Sequence, residues 1–136
     1  MRTPRAAAAA AIILCSVVGA ACGDDAVAPS SDTLSGDWGP STSLVGSRWT
    51  MHLAEHGASL TGTGDYAFEA GRAGTLAVSG TVVGAQVTLD ITYDYGLREH
   101  FVGVHTNLDV LHGTSTRVLG ADTTTTDTDF YRRGTL

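Results

Sequence analysis

The chain contains no lysine and only two cysteines among its 136 residues. Past position 21 its only strong cations are six arginines, set against fourteen Asp and Glu, a formal charge of −8. Such a surface repels phosphate backbones and anionic headgroups alike, so nucleic acid is not an expected partner. Cys15 lies inside the opening apolar run and Cys22 just beyond it. A chain cut between them keeps one cysteine, which excludes a disulfide and a Cys-ligated zinc site. A Gly-x-Ser-x-Gly nucleophile elbow is missing as well. "GTGDYA" at 62 has Gly-x-Gly without a third glycine or a following helix, so it is no phosphate cradle. Beyond position 22 no stretch has the composition of a convincing helix. No cofactor and no metal is expected.

What the N-terminus does have is "MRTPRAAAAAAIILCSVVGAAC". Two arginines, an apolar run from Ala6 to Val18 and then small residues follow the order of an export signal. The run is too short to span a membrane comfortably. "GAAC" at 19 to 22, followed by "GDD", resembles the lipobox of bacterial lipoproteins, departing from it at Gly19. The resemblance implies a signal peptide over 1–21, acylation of Cys22, and a protein of the bacterial cell envelope held to a membrane through its N-terminal lipid. Ordinary secretion with cleavage nearby is the alternative. Residues 22–33, ending in "GDDAVAPSSDT", are polar, small and Pro-broken, and read as a flexible tether reaching about 20 Å.

Residues 34–136 are expected to form one domain. From 86 to 94 the chain alternates strictly, with Val87, Leu89, Ile91 and Tyr93 on one face and Gln86, Thr88, Asp90, Thr92 and Asp94 on the other. That is a strand with one dry and one wet side. "ADTTTTDTDFYRR" at 121 to 133 is rich in β-branched Thr. Turn signals separate about eight strands, at 34–38, 47–55, 59–67, 75–83, 86–94, 98–105, 108–118 and 124–132, with the tight links "HG" at 56 and "GA" at 84. An apolar-x-Gly pattern recurs at 34, 60, 78, 101 and 111, and glycine inside strands marks bends or close backbone approach. Together these predict an all-β fold, a single antiparallel up-and-down barrel. With "LSGDW" (34–38), "LTGTG" (60–64), "VSGTV" (78–82) and "TDFYRR" (128–133) in that order, the chain resembles the lipocalin-like and avidin-like barrels of the calycin group.

The segment "HLAEH" at 52 to 56 matches the His-x-x-Glu-His spacing of one class of zinc peptidases. On a helix its two histidines would lie about 6 Å apart and could share a metal. On a strand they lie about 13 Å apart and could not. Trp49, Met51 and Leu53 alternate with Arg48, Thr50 and His52, which favours the strand. Asp122, Asp127 and Asp129 lack the spacing and glycine of a calcium loop. Near Thr106 and Asn107 the register is open. A two-residue turn puts Phe101, Gly103, Val110 and His112 on one face, and a three-residue turn pairs Phe101 with Leu111 instead. An inward histidine among His100, His105 and His112 could meet a ligand.

The lumen is expected to be lined by Trp38, Trp49, Leu60, Tyr66, Val78, Leu89, Ile91, Tyr93, Phe101 and Phe130, and spaced by Gly62, Gly64 and Gly80 into a modest cavity. The calycin resemblance implies a non-enzymatic barrel that binds a small apolar ligand. The rival expectation is a filled barrel that binds an envelope protein or inhibits a protease through loops 69–74, 94–98 and 119–123. A zinc hydrolase built on "HLAEH" stands third.

Overall fold

The computed structural model describes residues 33–40 and 48–134. Apart from Thr33, the expected signal peptide, acylated Cys22 and tether lie outside the described residues. Eight strands follow in order: β1 Gly36–Pro40, β2 Arg48–His56, β3 Ser59–Ala67, β4 Ala73–Val83, β5 Gln86–Tyr93, β6 Arg98–Asn107, β7 Val110–Leu119 and β8 Asp122–Arg133. Each pairs antiparallel with the next and β8 pairs back with β1, so the sheet closes into an up-and-down barrel. Among the described residues there is no helix.

Three of the hairpins are built alike. Gly57–Ala58, Gly84–Ala85 and Gly120–Ala121 each form a two-residue loop, closed by the pairs His56↔Ser59, Val83↔Gln86 and Leu119↔Asp122. The glycine comes first, with φ of +63°, +58° and +62°, while no non-glycine residue among those described has positive φ. That is the signature of a type II′ turn, whose twist matches that of the strands it joins.

The link between β6 and β7 combines the two alternatives that the sequence leaves open. Asn107 pairs with Val110 across a two-residue loop, but a bulge between His105 and Asn107 absorbs one residue. The bulge restores the face that a plain two-residue turn would have exchanged. Leu111 is therefore buried with Phe101, while His112 is exposed outside.

The interior is packed, and all ten expected lumen residues are buried in it. The room expected at Gly62, Gly64 and Gly80 is taken by side chains, because each of these glycines stands opposite a leucine in the ladder: Leu53↔Gly62, Gly64↔Leu76 and Gly80↔Leu89. A Cβ on Gly80 would lie 2.9 Å from Leu89 Cδ2. Phe101 does the same to its own neighbours, its ring lying 2.5 Å and 2.9 Å from where Cβ atoms of Gly103 and Gly113 would be. The glycines of the apolar-x-Gly pattern make the room, and large side chains take it.

Gly113→Ala therefore has no space, since its Cβ would come within 2.3 Å of the Val102 carbonyl and 2.5 Å of Gly103 Cα. The expected cost is about 2 kcal/mol or more, seen as a fall in Tm of about 10 °C. Gly134→Ala, which meets nothing within 4 Å, should leave Tm unchanged in the same thermal scan.

Candidate functional site

The two ends of the barrel differ. At the proximal end lie the turns at 57–58, 84–85 and 108–109 and the segment 33–35 that precedes β1. Leu34 is fully buried there and plugs the interior. Its amide donates to Glu55 Oε2 at 2.7 Å, and its carbonyl accepts from Trp38 Nε1 at 2.9 Å. An open cleft of about 660 Å³ lies against this plug, lined by Leu34, Glu55, Val82, His105 and Leu108 among others. His105 is the histidine nearest the interior, and its Nε2 lies 3.1 Å from the Gly84 carbonyl.

At the distal end the alternation of buried and exposed residues fails. From Arg117 to Asp127, along the ends of β7 and β8, every residue is exposed on either face. Among the described residues β1 pairs β8 over Phe130–Arg133. Thr124 and Thr126 stand in register with Arg117 and Ser115, in the row that continues to Glu99 and Phe101 of β6. They are thus inward in direction and yet exposed, so among the described residues this side of the barrel is an open mouth. Its floor is aromatic: Trp49 stacks on Phe130 at 5.2 Å and 13°, and Phe101 meets Phe130 at 5.1 Å.

A polar chain runs along the wall of this mouth. Trp49 Nε1 donates to the Tyr93 hydroxyl at 2.9 Å, and that hydroxyl donates to Glu99 Oε2 at 3.0 Å. Arg117 Nη2 donates to Glu99 Oε1 at 3.1 Å. Glu99 is only 2% exposed, whereas the Arg117 side chain is 43% exposed and reaches the mouth. Burial, followed by the Glu99 charge, pushes the Tyr93 phenol far above its ordinary range, so it stays protonated and serves as a donor. Burial alone would lower the Arg117 guanidinium, but the hydrogen bond and charge of Glu99 outweigh it and hold it above its usual value. Ser115, two residues before Arg117 on the same face, is fully buried, and its Oγ has no hydrogen-bond partner among the described residues. Glu99, Ser115 and Arg117 escape a reading that searches for apolar lining. Period two, counted from Phe101 to Glu99 and from Leu111 to Ser115 and Arg117, is the signal that finds them.

A second polar group closes the rim. The Tyr66 hydroxyl donates to Asp94 Oδ1 at 2.5 Å, and the Thr75 amide to Asp94 Oδ2 at 2.8 Å. Tyr66 stacks on Phe68 at 5.0 Å and meets Tyr93 and Tyr95 edge-on at 5.5 Å. Arg72 lies 4.5 Å above the Tyr95 ring. The "YDYGL" loop thus turns its tyrosines into this cluster.

The other candidates fall apart in space. "HLAEH" lies in β2, with His52 and His56 exposed on the outer face, about 13 Å apart along the strand. The helical spacing that a shared metal requires is overturned. His52 instead faces Asp37 across the ladder at 2.5 Å, as His100 faces Asp90 at 2.7 Å and His112 faces Asp129 at 2.5 Å. Asp122, Asp127 and Asp129 are spread along β8 rather than gathered in a loop. Among the described residues no three His, Cys, Asp or Glu side chains are grouped to hold a metal ion.

Tyr66 and Asp94 tie the rim to pH. Burial, with the Asp94 hydrogen bond and charge behind it, pushes Tyr66 up to about 12. Its contribution to stability is present below the ordinary phenol value of about 10 and lost as pH rises through the folded value. Asp94 is lowered, chiefly by the Tyr66 hydrogen bond, so its contribution is present above 3.8 and lost as pH falls through its depressed folded value. Near-ultraviolet circular dichroism should be flat from about pH 5 to 9 and change beyond both limits. Asp94→Asn should move the Tyr66 absorbance midpoint down toward the ordinary phenol value of about 10.

No family model matches the chain, and no curated protein matches it. Among solved structures the barrel is similar to that of EF1p2_mFAP2b bound to DFHBI, with a TM-score of 0.58 and 13% sequence identity, over 74% of this chain and 94% of that one. At that identity the likeness is one of fold.

Proposed function

We propose that the chain is an envelope lipoprotein, acylated at Cys22 and tethered to a bacterial membrane, whose barrel is a non-enzymatic binding module for a small apolar ligand. The observation that carries this reading is the open distal mouth, where Thr124 and Thr126 face inward and remain exposed above the Trp49–Phe130 stack. Small-molecule sites are concave, mostly apolar, and oriented by a few convergent polar groups. Here the exposed Arg117, held by the buried Glu99, is the polar group at the mouth. Leu34 plugs the proximal end next to Thr33, so this ligand would be taken at the opposite, distal mouth, above the packed interior. The calycin-type resemblance of the sequence and the solved barrel that holds DFHBI point the same way.

A second reading is favoured by one feature of the β7–β8 hairpin, whose tip leaves Val118 and Leu119 about two-fifths exposed (38% and 41%) beyond a packed core. A protein-binding or protease-inhibiting module would use that tip as its contact.

Native mass spectrometry of residues 23–136, secreted without the lipid, separates the two. A retained adduct of a few hundred daltons, lost when Thr126→Trp fills the mouth, is the expected result. A bare mass, together with Trp49 fluorescence that no small aromatic compound alters, would sink the carrier and leave the hairpin tip in front. For the anchor, Cys22→Ser should move the protein from the membrane fraction to the soluble fraction and abolish labelling by radioactive palmitate.

A further inference from the structure

We propose that the cleft at the proximal end is a second binding site and that it takes a small organic ammonium, the cation on Glu55 and the apolar body against Val82 and Leu108. This site lies at the opposite end of the barrel from the distal mouth and does not depend on the reading of that mouth.

The cleft is built from strand ends. Period two puts Glu55, Val82 and His105 at the last inward positions of β2, β4 and β6, and all three line it. Backbone bonds fasten the turns around it to the neighbouring strands. The Val82 amide donates to the Ala58 carbonyl at 2.9 Å, the His105 amide to Ala85 at 2.9 Å, and the Arg132 amide to Asp109 at 2.8 Å. A rim held in this way is formed before any ligand arrives, so binding spends little on ordering it.

The polar groups of the cleft mostly accept. Glu55 is half-buried and uses Oε2 on the Leu34 amide, while Oε1 takes no hydrogen bond and no ion pair among the described residues. The Gly84 carbonyl can only accept, so His105 Nε2 carries the proton toward it and Nδ1 is left as an acceptor. Thr106 and Asn107, which complete the rim, are uncharged.

The chain has little means of answering this carboxylate itself. Arg132, at the same end, spends its donors on the carbonyls of Thr33, Ser35 and Leu108, lies 3.5 Å from Asp109, and stands outside the lining. Past position 21, the residues outside the described ones are 22–32, 41–47 and 135–136, and they include no Lys, Arg or His. A carboxylate held partly out of water attracts a cation more strongly than an exposed one does. An ammonium brings charge and N–H donors together, and its apolar body covers the half-buried Val82 and Leu108. A metal ion is the poorer fit. Glu55 and His105 come from β2 and β6, on opposite sides of the ring of eight strands, and among the described residues no third ligand joins them.

A pair of small probes tests the class. 2-Phenylethylamine and 2-phenylethanol share one body and differ in the head group, which is cationic in the amine at neutral pH. The chain from residue 23 holds the whole closed barrel, and acetylation of its N-terminus leaves no terminal ammonium to compete. Its amide NMR signals at Leu34, Glu55 and Ala58 should shift saturably, with the amine bound about tenfold more tightly than the alcohol, the worth of one charge-assisted hydrogen bond. Glu55→Gln keeps an acceptor for the Leu34 amide, so Tm should hold while the preference disappears. Leu108→Ser, which leaves the charge in place, should weaken both probes alike and keep their ratio. Thr126→Trp, at the distal mouth, should change neither. Equal binding of the two probes would overturn the ammonium and leave the distal carrier standing. A preference that survives Glu55→Gln, or that falls with Thr126→Trp, would put the amine elsewhere and overturn the proposal. An amine that shifts none of the cleft amides would overturn it too, whatever the distal mouth binds.

Discussion

The barrel closes through β1, and Arg132 holds the closure. Among the described residues β1 contributes Asp37–Pro40 to the ladder with β8. Beside this ladder the Arg132 guanidinium donates to the carbonyls of Leu108 at 2.6 Å, Ser35 at 2.8 Å and Thr33 at 2.5 Å, and lies 5.0 Å above the Trp38 ring. Few side chains could replace it, since a planar fork with five donors is needed to reach three carbonyls from one residue. The segment that plugs the proximal end is thereby tied to β8, and through Trp38 and Glu55 to β1 and β2. Without the closure, β1 and β8 would present the unpaired edges that make open sheets aggregate.

The two ends of the lumen differ. Where β1 pairs β8, the interior is dry and filled, each inward glycine matched to a leucine or to Phe101. Toward the distal end the inward positions turn polar: Thr128, Thr126, Thr124, Ser115, Arg117. The ion pair of Glu99 and Arg117 sits at this boundary. Buried pairs of this kind seldom stabilise more than a well-packed apolar pair would, so stability alone is a poor account of a charge set into an otherwise apolar wall. A role at the mouth accounts for it better, because the same residues turn a hole in the packing into a polar lip over an aromatic floor.

Much of this barrel is legible in the amino-acid sequence, for a physical reason. Strand positions and faces follow from period two and from glycine-marked turns, both local properties. Val87, Leu89, Ile91 and Tyr93 are buried as their alternation demands, and "HLAEH" takes its flanks' alternation rather than a helical form. What alternation does not carry is cross-strand matching. That Gly64 meets Leu76, or that Gly103 and Gly113 both lie under Phe101, depends on register between strands, and so the lumen reads as a cavity when it is filled. The bulge after His105 is of the same kind, since one extra residue is invisible until the partner strand is known. Glu99 and Ser115 are hidden for a different reason: charged and hydroxyl side chains are ordinarily exposed, and that expectation outweighs the face they occupy.

Register itself has to be specified, and parity does only half of it. A slip of one residue turns every apolar side chain outward and is forbidden by burial, but a slip of two keeps the faces intact. For β1, with the fewest ladder positions among the described residues, such a slip is the nearest competitor. Its outward Asp37 stands between His52 of β2 and Arg133 of β8. Moving by two would set Asp37 against Thr50 or Ala54 and strand it from its imidazole partner. Exposed pairs of this type contribute at most about 1 kcal/mol each. The two remaining His–Asp matches, Asp90 with His100 and His112 with Asp129, are likewise directly opposed in the β5–β6 and β7–β8 ladders. Their work is then less to strengthen the barrel than to choose among registers that the core alone would accept, and β1, on which closure depends, is where that choice matters most.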